Sequence, residues 1–78
     1  MDYEGFNKWL VECKGISQRS TNDVLSRVRR VLRLCNMDRV TPNTMAALLN
    51  NETYHSASRF IKAQLKRAVA LYCEYTAG

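Results

Sequence analysis

The 78-residue sequence has few residues that break secondary structure and no long apolar segment. One proline and three glycines, with 46% hydrophobic residues, argue against a disordered chain. No apolar run approaches the roughly 20 residues that a membrane-spanning helix needs. The acidic and aromatic start Met1-Asp2-Tyr3-Glu4 is unlike a signal peptide. These absences predict a folded, soluble, cytoplasmic domain that does not enter a membrane.

Residues that could support catalysis or hold a metal are also scarce. His55 is the only histidine, and no Cys, Ser or carboxylate stands near it with the spacing of a catalytic triad or a metal site. The glycines are isolated, so no phosphate-binding loop is present. Tyrosine could act as a nucleophile, but the better interpretation is of aromatic core residues with solvated hydroxyls: Tyr3, Tyr54, Tyr72 and Tyr75. We therefore expect no enzyme activity, no cofactor and no metal.

Three cysteines, Cys13, Cys35 and Cys73, are an odd number at wide spacing, and no C-x-x-C motif occurs. Cys13 and Cys35 fall on apolar helical stripes, where cysteine behaves as a small hydrophobic residue. The pattern predicts reduced core cysteines in a reducing compartment, in preference to a disulfide or a zinc site.

Positive charge is abundant and unevenly distributed. The net charge is +5, from twelve Lys and Arg against seven Asp and Glu. Residues 14–39 have seven basic and two acidic residues (+5), and residues 56–78 have four and one (+3). Residues 1–13 sum to −2 and residues 40–55 to −1. Two basic segments separated by a neutral one favour a polyanionic partner, although a well-solvated basic surface would give the same composition.

Hydrophobic periodicity predicts four helices in one domain over residues 1–78, with no strand pattern. The first covers residues 2–14 and is closed by Gly15, and the second covers residues 18–35 behind a Ser17 cap. A short third helix is expected to begin at Thr41-Pro42 and to end near Asn50-Asn51. One long fourth helix should run from Tyr54 or Ser56 to Thr76. The sequence thus predicts an all-α protein.

The second and fourth helices each begin with small hydroxyl residues followed by basic ones. The two segments are Ser17-Gln18-Arg19-Ser20 and Ser56-Ala57-Ser58-Arg59. A helix N-terminus offers backbone N–H groups to a phosphate, and Arg or Gln on the next turn can reach base edges. Arg59, Lys62 and Lys66 project within about 60° of one another, whereas Arg67 lies about 100° away. The serines would also cap the helices, and capping does not exclude phosphate binding.

The order of these landmarks resembles the SAM-like core-binding domain of tyrosine recombinases, the phage-integrase family. The resemblance rests on Phe6-x-x-Trp9-Leu10, then Gly15-Ile16-Ser17-x-x-Ser20, then a helix with Arg29-Arg30, and finally Tyr72-x-x-Tyr75. It extends over essentially the whole chain. It implies a compact SAM-like orthogonal bundle of four or five helices that forms half of a C-shaped clamp on DNA.

In that family the second and fourth helices face the major groove of the recombinase core site. Carried over to this sequence, the resemblance implies a DNA-binding set of eleven residues: Ser17, Gln18, Arg19, Ser20, Arg27, Arg30, Ser56, Ser58, Arg59, Lys62 and Lys66. The implied partners are double-stranded DNA and the C-terminal catalytic domain of a parent recombinase. The domain alone would be monomeric and of bacterial or phage origin.

Catalysis in the family belongs to that separate C-terminal domain, which we expect to be absent from this chain. His55 and Arg59 do not have the family's His-x-x-Arg spacing. The domain would therefore support DNA integration and recombination by binding alone. Two other interpretations stay open: a stand-alone helical DNA-binding regulator, and a SAM-like protein-interaction module without a DNA role. An exposed apolar patch would favour the latter.

Overall fold

The computed structural model describes residues 1–77. Over that range the chain forms five α-helices and no strand, which confirms the predicted all-α class. The helices are α1 (Tyr3–Glu12), α2 (Gln18–Leu34), α3 (Thr44–Leu49), α4 (Glu52–Ser56) and α5 (Arg59–Ala77). No helix within the described residues is both long and apolar enough to cross a bilayer.

The ends of α1 and α2 follow the local chemistry of their flanking residues. Ser17 has extended backbone angles and its Oγ accepts a hydrogen bond from the Ser20 N–H at 3.2 Å, as predicted for an N-cap. Gly15 has a φ of 65°, so the predicted left-handed residue after α1 is confirmed. At the end of α2, Asn36 (φ 54°) takes the same role, and the Met37 N–H donates to the Leu32 carbonyl at 2.9 Å. The short connection between α1 and α2 and the stop after α2 are therefore fixed locally.

The third helix begins at Thr44, two residues after the Pro42 start that the Thr41-Pro42 pattern predicts. The Thr44 N–H donates to the Thr41 carbonyl at 3.0 Å, and the Thr41 N–H donates to Thr44 Oγ1 at 2.8 Å. These bonds close a turn around Pro42 before α3 starts at Thr44. Pro42 thus lies in a turn and not in the first turn of the helix. Its fixed φ suits the second position of such a turn.

The predicted single long helix is two helices, and its expected start at Tyr54 or Ser56 is wrong. Ala57 is extended (φ −76°, ψ 160°), which ends α4 at Ser56. Asn51 Oδ1 caps α4 by accepting from the Tyr54 N–H at 3.0 Å. Ser58 Oγ accepts from the Ile61 N–H at 3.2 Å and begins α5. Asn51 and Ser58, eight residues apart when both are counted, each begin a helix. They divide the segment that the apolar periodicity predicts to be one helix.

The core has two parts, both built on α2 and α5. The first, which we call the aromatic cluster, lies where α1 meets the C-terminal half of α5 and contains the rings of Phe6, Trp9, Tyr72 and Tyr75. Phe6 is fully buried and its ring meets Tyr72 edge-on at a centroid distance of 4.8 Å. The second, the short-helix cluster, joins α3 and α4 to α2 and to α5, and its buried residues are Val31, Leu48, Tyr54, Leu65 and Val69. Each fully buried apolar side chain contributes about 1.5–3 kcal/mol relative to an exposed one.

A polar contact closes the aromatic cluster at its outer edge. The Tyr75 hydroxyl donates to Asp2 Oδ2 at 2.6 Å, while Asp2 Oδ1 accepts from the Gly5 N–H at 2.9 Å. These bonds hold the pKa of Asp2 below its ordinary value, and the same contact raises the pKa of Tyr75. A Cβ at position 5 would collide with both the Asp2 carboxylate and the Tyr75 hydroxyl. Glycine at this position allows the two side chains to meet over α1.

All three cysteines are free thiols, but only two of them contact the core. Cys13 is exposed at the C-cap of α1, so the expectation of a core residue is wrong there. The stripe of α1 ends one turn earlier because the chain turns away at Gly15. Cys35 and Cys73 are half-buried against the short-helix cluster, and burial raises the pKa of Cys35.

Candidate nucleic-acid interface

The exposed surface of α2 carries its basic residues on three sides. Arg19 and Arg30 are exposed and project opposite the buried stripe, because they lie about 180° from Thr21 and Val28 on the helix. Arg27 lies toward α5 instead. The predicted contacts of α2 are therefore accessible, but only part of them face the other predicted helix.

One concavity, which we call the α2–α5 groove, brings predicted residues of α2 next to α5. Its lining residues come from the α1–α2 connection and from both helices: Ile16, Ser20, Asp23, Val24, Arg27, Gln64 and Arg67. Arg27 and Arg67 give it two positive charges against the single negative charge of Asp23. The groove shows directly that Ser20 and Arg27 share a surface with α5.

Gln64 and Arg67 were missed by reasoning from the sequence. Arg67 lies about 100° from the cluster of Arg59, Lys62 and Lys66, which separates it from them on an isolated helix. That argument could not show which side of α5 would pack beside α2. The available signal was Leu71, an apolar residue four positions after Arg67, because it indicates that α5 is also covered close to the side of Arg67.

A second concavity, the α4–α5 pocket, collects the three predicted cations of α5. It is lined by Tyr54, Arg59, Lys62, Ala63 and Lys66. Lys62 is half-buried, and its Nζ lies 5.9 Å from the centroid of the Tyr54 ring. Half-burial beside an aromatic ring restricts the side chain of Lys62, so its charge has a more defined position than that of a fully exposed lysine. The predicted basic flank of α5 is thus one continuous surface.

The serines of the two segments differ in whether they cap a helix. Ser17 and Ser58 cap α2 and α5 and are exposed, and each Oγ accepts one backbone N–H. A hydroxyl that accepts a hydrogen bond still has its own hydrogen to donate. Ser56 is the exposed last residue of α4 rather than a residue at the start of a helix. Of the four serines in the two segments, Ser17 and Ser58 therefore cap a helix as predicted.

Gln18 is engaged on the opposite side of α2 from the groove. Its Nε2 donates to Asn7 Oδ1 at 2.7 Å and to Asn22 Oδ1 at 3.0 Å. The amide links α1 to α2 next to the helix start. A DNA contact by Gln18 would have to break or share these bonds.

Almost all of the positive charge lacks a carboxylate partner. Among the described residues the only ion pair joins Lys14 to Glu74, at 2.8 Å. Of the twelve Lys and Arg, eleven remain after Lys14, and none of these lies within 4.0 Å of a carboxylate oxygen of residues 1–77. Unpaired cations on two adjacent helices suit a polyanionic partner, because they can neutralise its phosphates and release the counterions condensed on it.

A third basic concavity lies on the α1 side of α2. Tyr3, Ser26, Arg29, Leu32 and Arg33 line it, and the Arg29 guanidinium lies 4.6 Å from the centre of the Tyr3 ring. This stacking covers one face of the Arg29 guanidinium. The lining residues come from α1 and α2, so this concavity shares no residue with the two described above.

The residues that could have carried other chemistry are accounted for locally. His55 is exposed, its ring meets Tyr54 edge-on, and its Nε2 contacts the Leu49 carbonyl. No group of three or more His, Cys, Asp or Glu side chains converges on a metal-sized site in residues 1–77.

Comparison with models of protein families, with curated proteins and with solved structures found no match to this chain. Any functional assignment therefore depends on the residues themselves and on their arrangement.

Proposed function

We propose that this domain binds double-stranded DNA through α2 and α5, and that it is the core-binding domain of a tyrosine recombinase. In this role it supports DNA integration and site-specific recombination, together with the catalytic domain of the parent protein. The observation that carries the proposal is the set of unpaired cations that α2 and α5 present on adjoining surfaces. The resemblance of the landmarks along the chain supplies the family.

Each part of the surface has a separate task in this proposal. The α4–α5 pocket, with Arg59, Lys62 and Lys66, contacts phosphates on one strand of the duplex. Arg27 and Arg67, across the α2–α5 groove, contact the phosphates or base edges that flank it. Ser17 and Ser58 contribute helix N-termini and hydroxyl donors to the backbone of the DNA.

One observation favours the protein-interaction interpretation as a second candidate. Leu49 and Phe60 are exposed by 41% and 78%, respectively. They are the two large apolar helix residues that are exposed within residues 1–77, and a protein interface that covered both would bury an apolar patch. The two proposals differ in their response to salt, because binding to phosphates weakens steeply with salt and apolar association does not.

The test is a titration of the domain with a short fluorescent duplex at several salt concentrations. Five phosphate contacts, from Arg27, Arg59, Lys62, Lys66 and Arg67, would give a slope of log affinity against log salt of about −4 to −5. Lys66→Ala should weaken binding and reduce the magnitude of that slope by about 0.9. Lys8→Ala removes the same charge from the exposed surface of α1 and is the matched control.

No binding at low salt would overturn the proposal and leave a protein-interaction module as the better account. If Lys8→Ala and Lys66→Ala weakened DNA binding equally, the net charge of the domain and not a defined surface would determine the affinity. Amide NMR shifts at residues 17–30 and 56–67 on adding DNA would locate the contact independently.

A further inference from the structure

Phe60 is the most exposed of the large apolar side chains in the described chain. It is 78% exposed, compared with 41% for Leu49 and 39% for Met1. It stands on the first turn of α5, between Arg59 and Ile61, where the helix gains nothing from an aromatic ring. Its exposure is therefore unexplained by the packing or by the local stability of the helix.

The surroundings of Phe60 are polar and positively charged. Gln64 and Arg67 follow it at steps of four and three residues, so the three side chains lie along one side of α5. Gln64 and Arg67 also line the α2–α5 groove, and both are exposed. An apolar protein surface would leave Arg67 and Arg59 without a counter-charge, whereas duplex DNA offers apolar and anionic groups together.

The major groove of DNA contains one apolar group, the C5 methyl of thymine. Phenylalanine can contact that methyl, and glutamine can bind the N6 and N7 edge of adenine. An A·T base pair displays both groups in the major groove. The order Phe60, Gln64, Arg67 along one side of α5 thus matches an A·T pair followed by a phosphate or a guanine.

From this arrangement we propose that Phe60 is a specificity-determining residue that reads thymine methyl groups in the major groove, beside adenine contacts from Gln64. The inference rests on the proposed DNA binding and adds the base that the domain prefers. Arg59 and Arg67 hold the duplex against the ring through its phosphates. The methyl loses its contact with water on binding, as does the face of the ring.

The experiment compares two duplexes of equal length and charge, one of alternating adenine and thymine and one of alternating adenine and uracil. They differ in the C5 methyl. The wild-type domain should bind the thymine duplex about fourfold more tightly, the effect of burying one methyl group. Phe60→Ala should bind both duplexes equally and should retain the steep salt dependence.

Two further variants serve as controls in the same assay. Leu49→Ala truncates the other exposed apolar helix residue and should keep the thymine preference unchanged. Gln64→Ala should keep the ratio of thymine to uracil affinity while losing part of the preference for A·T over G·C. A G·C duplex with 5-methylcytosine carries a methyl at the corresponding position, and it should gain affinity over unmodified G·C for wild type but not for Phe60→Ala.

The failures of the two proposals are distinguishable. If no duplex binds at low salt, the DNA-binding proposal fails and this inference fails with it. If all duplexes bind with steep salt dependence but wild type shows no thymine preference, or Phe60→Ala retains it, only the inference is overturned. Wild-type affinity of Phe60→Ala for both duplexes would likewise overturn it, because the ring would then take no part in DNA binding.

Discussion

The aromatic cluster and the short-helix cluster stabilise the same bundle in different ways. The aromatic cluster packs two long helices, α1 and α5, and its rings approach one another at centroid distances of 4.8–6.1 Å. The short-helix cluster instead holds α3 and α4, of six and five residues, against α2 and α5. Helices that short are not stable alone in water, so α3 and α4 depend on Leu48 and Tyr54 for their existence.

The two regions also differ in whether their charged side chains have partners. Near the aromatic cluster, acidic groups are used in contacts: Asp2 accepts from Tyr75, and Glu74 pairs with Lys14. Beside the short-helix cluster, Arg59, Lys62 and Lys66 have no carboxylate partner within residues 1–77. The other part of the proposed binding surface, the α2–α5 groove, is lined in part by Val24, which belongs to the same core as Phe6 and Tyr72. The proposed binding surface therefore adjoins both regions, whereas the carboxylate contacts lie at the aromatic cluster alone among the described residues.

The largest expected effect comes from truncating one buried residue in each cluster. Phe6→Ala should lower the free energy of unfolding by about 3–5 kcal/mol, and Leu48→Ala by about 2–5 kcal/mol. Urea unfolding measures both losses. Hydrogen exchange sharpens the comparison, since Leu48→Ala should lose amide protection first in α3 and α4 while Phe6→Ala lowers it in every helix.

Phe6→Leu provides a milder variant in case Phe6→Ala does not fold. A uniform loss of protection in Leu48→Ala would contradict the division, because it would show that both clusters unfold as one unit.

A smaller effect is expected from Tyr75→Phe, which removes only the hydroxyl at the edge of the aromatic cluster. Because the pKa of Asp2 is lowered by folding, its contribution is present above the ordinary pKa of 3.8 and is lost as pH falls through the lowered value. Because the pKa of Tyr75 is raised, its contribution is present below the ordinary pKa of 10.0 and is lost as pH rises through the raised value. Wild type should thus be more stable than Tyr75→Phe near neutral pH, and the two should converge at both extremes.

Thermal unfolding of both proteins across this pH range measures the difference. In an Asp2→Asn background, the stability difference should no longer change as the pH falls through the acidic range. A difference that stays constant down to strongly acidic pH would show that the hydroxyl acts through something other than Asp2.

The smallest effect concerns the thiols, which can be compared without perturbing the fold. Cys13 is exposed, whereas Cys35 is half-buried beside the short-helix cluster with a raised pKa. Since the thiolate is the reactive form, iodoacetamide should modify Cys13 before Cys35 at neutral pH. Mass spectrometry of a time course gives the order, and Cys13→Ser should delete the fast phase with a stability change within about 0.5 kcal/mol. Faster reaction of Cys35 would indicate that the short-helix cluster opens readily.

Most of the fold follows from patterns that are local in sequence. The periodicity of α1 and α2, the Ser17 cap and the turn at Gly15 were all predictable because each depends on a few neighbouring residues. The break at Ala57 was not, since the apolar stripe continues across it and only the balance of the Asn51 and Ser58 caps decides. The apolar stripe predicted for the fourth helix consists of Ile61, Leu65, Ala68, Tyr72 and Tyr75. Leu71 lies outside that stripe and is nevertheless buried, because α1 and α2 both pack against α5.

The candidate site was predictable to a similar extent. A helical wheel places Arg59, Lys62 and Lys66 together, and the α4–α5 pocket confirms that placement. Arg27 and Arg67 line the same groove. Predicting this would have required the relative orientation of α2 and α5, which the pattern of one helix does not give. The exposure of Phe60 had no signal at all in its residue type, because phenylalanine is usually buried.

The contact between Tyr75 and Asp2 also has a consequence for folding kinetics. It joins residues 73 positions apart, so nearly the whole chain must be ordered before the hydroxyl can reach the carboxylate. Because closing so long a loop costs entropy before the contact can form, we expect this hydrogen bond to form after the folding transition state. This hydrogen bond would then act mainly on the rate at which the folded domain opens, as a latch that slows unfolding while leaving the rate of folding almost unchanged.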